Sequence, residues 1–256
     1  MKALIVTGDS WANNKYYEYA NRIKKLNIEP FDHWTDILSD ELELILNNIA
    51  VNGSGNEAIF NRGVNKLITH SADQIGYFIV VWSAISRMDI QMNDDGKFYT
   101  FNDQEEKEKL ERLTNKNLID YYSDNYMSSN TLKINLDKTL TYIYCIQNIC
   151  ENLNIPYLQM FGIRPLEVRD TLSNNITASL ELEEAIINHP IYEKLNSKTF
   201  VGWPVFERLG GHCLYTLCRD TMGNEFKIST SGSSDSHPNA KGCEFIANNL
   251  FENYIC

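Results

Sequence analysis

The sequence predicts an α/β protein, with a central parallel sheet held between two layers of helices. Three observations predict it. The apolar runs Ala3–Thr7 and Ile75–Ser83 lack the polar alternation of a half-exposed strand, as expected for parallel strands covered on both faces. Between and after them, apolar residues recur at helical spacing, as in Phe60, Val64, Leu67 and Ile68. No internal repeat or low-complexity linker breaks the alternation, so one domain over residues 1–256 is the economical organisation.

The elements follow in order. The strand at Ala3–Thr7 runs into Gly8-Asp9-Ser10-Trp11, and Tyr16–Leu26 reads as a helix. A second helix is predicted over Asp40–Asn47, with Leu42, Leu44 and Ile45 apolar, then a short strand at Ile49–Val51. The turn Asn52-Gly53-Ser54-Gly55-Asn56 opens the helix that carries Phe60 and Leu67, and Ile75–Ser83 is the central strand. Ile90–Met92 and Phe98–Phe101 flank Asn93-Asp94-Asp95-Gly96 and read as a hairpin. The charged run Asp103–Arg112 reads as a solvated helical face, and the whole stretch of about 88–127 as an insertion or lid. Leu132, Leu136, Leu140 and Ile143 mark a long amphipathic helix before a strand at Ile155–Phe161. A helix over Ala178–Asn188 precedes strand-like pieces in Phe200–Arg219. The last helix has Pro238 in its first turn and Ile246, Leu250, Phe251 and Tyr254 on its buried face.

Composition excludes several classes of function. With 43% hydrophobic residues the chain can bury a sizeable core, while 34 acidic against 23 basic residues give a net charge of -11. That surface repels nucleic-acid phosphates and anionic membranes, so neither is expected as a partner. No apolar run approaches the roughly 18–20 residues that span a bilayer, and no signal-peptide pattern precedes the first strand. A soluble protein, cytoplasmic or virion-associated, is expected; abundant Asn, Lys, Ile and Tyr suit an AT-rich, viral or phage genome. Oligomeric state is not encoded at this level. The six cysteines show no zinc-ligand spacing: Cys145 and Cys150 lie on different faces of a predicted helix, and Cys213 and Cys218 on opposite faces of a predicted strand. Neither a metal nor a cofactor is expected.

Two short strings carry chemistry. Gly8-Asp9-Ser10 delivers a hydroxyl to the C-terminal edge of a parallel sheet, where α/β proteins bind ligands. Asp235-Ser236-His237-Pro238 places an imidazole beside a carboxylate, the pairing that activates a serine. A plainer reading makes the first an ordinary turn and the second a capped helix entrance, with Asp235 or Ser236 as the cap. In combination, the order of Gly8-Asp9-Ser10, a mid-chain glycine turn and Asp-x-His-Pro resembles the SGNH (GDSL) hydrolase family, from Lys2 to the last helix.

That resemblance implies a flavodoxin-like three-layer sandwich with Ser10 as nucleophile, His237 as general base and then acid, and Asp235 as orienting carboxylate. It also implies backbone amides of Ser10 and Gly53 as an oxyanion hole, with Asn56 either adding a side-chain donor or only capping its helix. Two departures stand out. The family commonly sets its aspartate three residues before the histidine, whereas Asp235 is two before His237 and Ser234 holds the usual place. The family's Gly-x-Asn-Asp turn is replaced by Ser83-Ala84-Ile85-Ser86-Arg87-Met88-Asp89, which has no asparagine. Ser86 or Arg87 can supply donors to a substrate there, although Arg87 can equally pair with Asp89 or another local carboxylate. Trp11, Trp82 and Trp203 are candidates to line the pocket or to sit in the core.

One rival reading uses the same glycine turn. Gly53-Ser54-Gly55-Asn56-Glu57-Ala58 fits the dinucleotide fingerprint, with Asp73 twenty residues after Gly53, yet Asp73 precedes the next strand rather than ending it. No phosphate-binding loop of the Gly-x-x-x-x-Gly-Lys type occurs. The expectation is therefore a serine esterase of SGNH type that removes acetyl or another short acyl group from a carbohydrate or similar polar ester. The alternatives are a catalytically weak binding or structural module, such as a phage component, and an O-acyltransferase.

Overall fold

The computed structural model describes residues 1–91, 98–101, 129–166, 172–230 and 233–256. Four parallel strands form the main sheet in the order β2-β1-β3-β6, where β1 is Ala3–Gly8, β2 Ile45–Asn48, β3 Ile75–Trp82 and β6 Tyr157–Phe161. Beyond β6 a single parallel bridge from Gln159 to Phe200 extends the sheet without a further strand. Two antiparallel pairs lie outside it: β4 (Met88–Gln91) with β5 (Phe98–Phe101), and β7 (Lys227–Thr230) with β8 (Ser233–Pro238).

The main strands are apolar because each face meets a helical layer. Leu4, Val6, Ile79, Val81, Leu158 and Met160 point to one side, where they meet Trp34 and Leu38 of α2 (Trp34–Glu41), Leu214 and Cys218 of α6 (Leu214–Met222) and Ile246 and Leu250 of α7 (Ala240–Leu250). Ile5, Phe78, Val80, Trp82 and Phe161 point to the other. They pack against Ile59 and Leu67 of α3 (Asn56–Thr69), Leu136, Leu140 and Ile143 of α4 (Ser129–Leu153) and Leu182 and Ile186 of α5 (Leu172–Ile187). Each fully buried aliphatic side chain contributes about 1.5–3 kcal/mol, so the two-sided burial dominates stability. The expected three-layer α/β/α sandwich with a parallel sheet is the observed one. Gln159 is the polar exception in β6, and it is satisfied: its amide accepts from Trp82 Nε1 at 3.1 Å and donates to the Ile143 carbonyl at 3.1 Å.

A third, smaller cluster matters for the site. Tyr16 of the single helical turn α1 (Tyr16–Tyr19), with Ala20 and Leu26, packs on Ile228 of β7. That contact brings the end of the chain against its beginning.

Several elements differ from their sequence-based expectation. The helix expected over Asp40–Asn47 ends at Glu41, and Ile45–Asn48 instead pairs with β1, which leaves Ile49–Val51 as the loop beyond the strand. The helix begins earlier, at Trp34, because His33 caps it: its side chain accepts from the Thr35 amide while Asp36 reaches back to the His33 amide. The expected helix over Tyr16–Leu26 is the short α1 followed by a wider π-type turn, Ala20–Lys24. Cys213 and Cys218 belong to the cap and body of α6, not to a strand. Pro238 closes β8 and Asn239 caps α7 through the Gly242 amide at 3.0 Å, so Asp235 and Ser236 are not the cap. The two strands of the expected hairpin are paired, whereas its turn and the charged run Asp103–Arg112 lie outside the described residues. No helix among the described residues is long and apolar enough to cross a membrane.

Candidate active site

Chain order reverses between β1 and β3, since β2 lies on one side of β1 and β3 on the other. The crevice at the C-terminal ends of β1 and β3 is therefore the place where such a sheet accepts a ligand. Ser10 follows β1 there. Its position depends on Gly8, where a Cβ would come within 2.7 Å of Ala12 Cβ and 2.9 Å of Val81, so a side chain would push the turn off the sheet.

From the other end of the chain, β8 supplies the partners. Asp235 and His237 are two apart on a strand, so both side chains leave the same face. The two-residue spacing that departs from the family pattern is thus the spacing a strand requires. His237 Nε2 lies 2.7 Å from Ser10 Oγ. Asp235 Oδ1 accepts from the His237 amide at 3.0 Å and hydrogen-bonds the ring Nδ1, which leaves Nε2 to face the hydroxyl. Ser10 and His237, 227 residues apart in sequence, are brought with Asp235 into one hydrogen-bonded series. An imidazole so held can take the serine proton and return it to a leaving group.

The loops around Ser10 are tied down by charge. Asp9 is fully buried; its Oδ1 accepts from the Trp11 amide at 3.0 Å, and its Oδ2 from Ser83 Oγ at 2.8 Å and Arg87 Nη1 at 3.1 Å. Arg62 Nη2 donates to the Gly8 carbonyl at 3.1 Å and to Ser54 Oγ at 2.8 Å, linking β1 to the glycine turn. In that turn Gly53 has φ +78°, a conformation glycine tolerates at least cost. Among the described residues, neither the Ser10 nor the Gly53 amide donates to a backbone carbonyl.

Other expected site residues have different surroundings. Asn56 accepts from the Ser83 amide at 2.8 Å and donates to the Ser83 carbonyl at 3.1 Å and Thr139 Oγ1 at 3.2 Å. Its carboxamide is spent on bracing the loop after β3, and it is not a cap either, because Gly55 holds that position. Trp11 is 1% exposed inside the core, with Phe226 and Tyr215 around it, and presents no face to a substrate. Ser86 is buried. Arg87 pairs with a carboxylate, but with Asp9 rather than Asp89. Asp89 instead accepts from the Gly55 amide at 2.9 Å and the Ala58 amide at 2.8 Å. Its carboxylate occupies the N-terminus of α3, where a dinucleotide pyrophosphate would have to sit.

Sequence reasoning missed two residues. Tyr16 stacks on the His237 ring, with centroids 3.7 Å apart, and donates from its hydroxyl to Asp235 Oδ2 at 2.8 Å. Burial, and then the Asp235 carboxylate, push its phenol well above the usual range, so the hydroxyl stays protonated. His33 shares a cleft with Ser10, Asn14, Tyr16, Tyr17, Phe31, His237 and Pro238. Burial, and then His237 nearby, push its imidazole down to about 3, so it is neutral there. The one sequence signal for either was His33 three residues before Asp36, a capping pattern. Burial also pushes the thiols of Cys150, Cys218 and Cys243 up to about 12, which leaves them protonated and poorly nucleophilic.

Fold and site together define a class: a three-layer α/β/α protein with a serine, a histidine and an aspartate in series at the C-terminal edge of its sheet. No protein-family model matches the chain, and no curated protein matches it. Solved structures similar to it include that of TesA, at 13% identity and TM-score 0.44 over 98% of this chain and 97% of that one. A member of the lipolytic protein G-D-S-L family from Veillonella parvula is similar at 13% identity and TM-score 0.45, over 98% of this chain and 97% of that one. The psychrotrophic esterase EstA from Pseudoalteromonas sp., in a structure inhibited by monoethylphosphonate, is similar at 12% and 0.42, over 99% and 96%.

Proposed function

We propose that the chain is a serine ester hydrolase of SGNH type, which removes acetyl or another short acyl group from a carbohydrate or similar polar ester. The observation that carries this reading is the 2.7 Å contact between Ser10 Oγ and His237 Nε2, with Asp235 on the opposite ring nitrogen. Ser10 Oγ attacks the ester carbonyl carbon as His237 takes its proton. The carbonyl oxygen becomes an oxyanion that the Ser10 and Gly53 amides hold, while the Asp235 carboxylate balances the imidazolium. Collapse breaks the ester bond, and His237 returns the proton to the departing alcohol. Water, deprotonated by His237, then attacks the acyl-serine, and His237 returns that proton to Ser10 Oγ as the acid leaves.

Two features support the finer reading. The cleft at Ser10 is walled by Tyr17 and Phe31 and holds only about 10 Å³, far below the ~300–1,000 Å³ of pockets that take larger ligands, so a long acyl chain has no room in it. Asn14 lines the same cleft, and its carboxamide oxygen can accept from a hydroxyl-rich alcohol while its nitrogen donates to Asp36 at 2.9 Å.

The test uses chromogenic acetate, butyrate and octanoate esters together with a fluorophosphonate probe. Acetate hydrolysis exceeding that of octanoate, labelling at Ser10, and a loss on the order of 10⁴-fold or more in Ser10→Ala are expected. Wild type that neither hydrolyses nor labels overturns the reading; labelling without hydrolysis favours acyl transfer to a second alcohol.

A further inference from the structure

The structure assigns Tyr16 a role of its own: we propose that it is the positioning residue of the Asp235–His237 pair, holding ring and carboxylate from one side. This rests on the proposed hydrolase reading of the same site. The argument starts from the short spacing. Asp235 lies only two residues from His237, and its Oδ1 serves both the His237 amide and the ring nitrogen. Rotation of that carboxylate about its χ2 would carry the imidazole with it. Tyr16 removes both freedoms. Its hydroxyl donates to the second oxygen, Oδ2, at 2.8 Å, and its ring lies against the imidazole at 3.7 Å and 23°.

The same hydroxyl tunes charge. A donor on Oδ2 disperses the carboxylate's negative charge, so the imidazolium gains less from Asp235 than it would beside an undonated carboxylate. Among the described residues, the titratable groups facing His237 include Asp235, Tyr16, the buried neutral His33 and Tyr17 of the same cleft, with Asp9 and Tyr19 acting on Tyr16 from farther away. Tyr16 itself packs on Ala20, Leu26 and Ile228, and its amide donates to the Asn13 carbonyl at 3.0 Å, which together set its aim.

The experiment compares Tyr16→Phe, which keeps the ring and removes the donor, with Tyr16→Leu, which removes both. In Tyr16→Phe, kcat for acetate ester falls about tenfold with KM little changed. The acid limb of kcat/KM moves upward by roughly half a pH unit, because Asp235 now holds the imidazolium more strongly. Tyr16→Leu falls further. On an Asp235→Asn background, Tyr16→Phe has no additional effect on the limb. Unchanged kcat and an unmoved limb in folded Tyr16→Phe overturn the proposal. Should that variant not fold, 3-fluorotyrosine placed at position 16 is a stronger donor and must move the limb to lower pH; no movement overturns it. If wild type proves inactive and unlabelled, the hydrolase reading fails separately. Titration of the His237 ring followed by nitrogen NMR then decides on Tyr16 alone: an upward move in Tyr16→Phe supports the clamp, and none overturns it.

Discussion

Arg87 reaches from the loop after β3 to set its Nη1 3.1 Å from Asp9 Oδ2, so the neighbour of Ser10 is half of a buried ion pair. The Asp9 side chain is 0% and that of Arg87 9% exposed, which makes the pair expensive to break from one side. The guanidinium thereby holds the Ser10 loop down.

Arg87→Met should therefore cost about 3–5 kcal/mol in urea unfolding, because among the described residues Asp9 keeps hydrogen bonds from just the Ser83 hydroxyl and the Trp11 amide. Adding Asp9→Asn to that variant should recover part of the loss. A single variant as stable as wild type would show that the pair contributes nothing. An Arg87 that bound substrate would instead raise KM and leave stability unchanged.

Asn56→Ala tests whether Asn56 braces the fold or serves an oxyanion. It strips both Ser83 backbone groups of their partner, and a loss of about 2–4 kcal/mol follows if they stay buried and unsatisfied. Urea titration together with kcat of the folded fraction separates the roles. Reduced stability with a modest change in kcat is expected; intact stability with a 10²–10³-fold lower kcat would make Asn56 an oxyanion donor after all.

His33 makes stability depend on pH. Its imidazole is held at about 3 in the folded chain against 6.5 ordinarily, so between these values only the unfolded chain binds the proton. Its contribution is complete above pH 6.5 and is lost as pH falls toward 3, by about 1.4 kcal/mol per pH unit. Asn at position 33 keeps a capping acceptor for the Thr35 amide without a titrating group. Between pH 6.5 and about pH 4.5, wild type should lose about 2–3 kcal/mol more than His33→Asn in paired urea titrations. Parallel losses would show that His33 protonates freely in the folded state.

Where the sequence misled, local pattern and burial had parted company. Ile45–Asn48 is an edge strand with half-exposed residues, so it lacks both the apolar run of a central strand and a clean alternation, while Leu42, Leu44 and Ile45 read as the apolar residues of a helix. Helix α6 shows the reverse. Leu214, Thr216 and Cys218 are all buried at every second position, because the short helix meets the core on more than one side, and that alternation reads as a strand. Trp11 follows Ser10 in sequence yet turns inward, a choice made by the pocket of Phe226 and Tyr215 and not by any neighbour in the chain.

What the sequence determined by itself is whatever a short window encodes. The strand that ends at Gly8, the hydroxyl that follows it, the glycine turn at Gly53 and the Asp235–His237 pair are all legible because periodicity, turn chemistry and two-residue spacing are local properties. Tertiary structure alone decided which side chains serve these groups. Arg87 on Asp9, Asn56 on Ser83 and Tyr16 on Asp235 span 78, 27 and 219 residues, and each depends on which strand lies beside which. Such pairings are chosen by the burial of a charge or a polar group that must find a partner, and only the folded sheet brings the partner within reach.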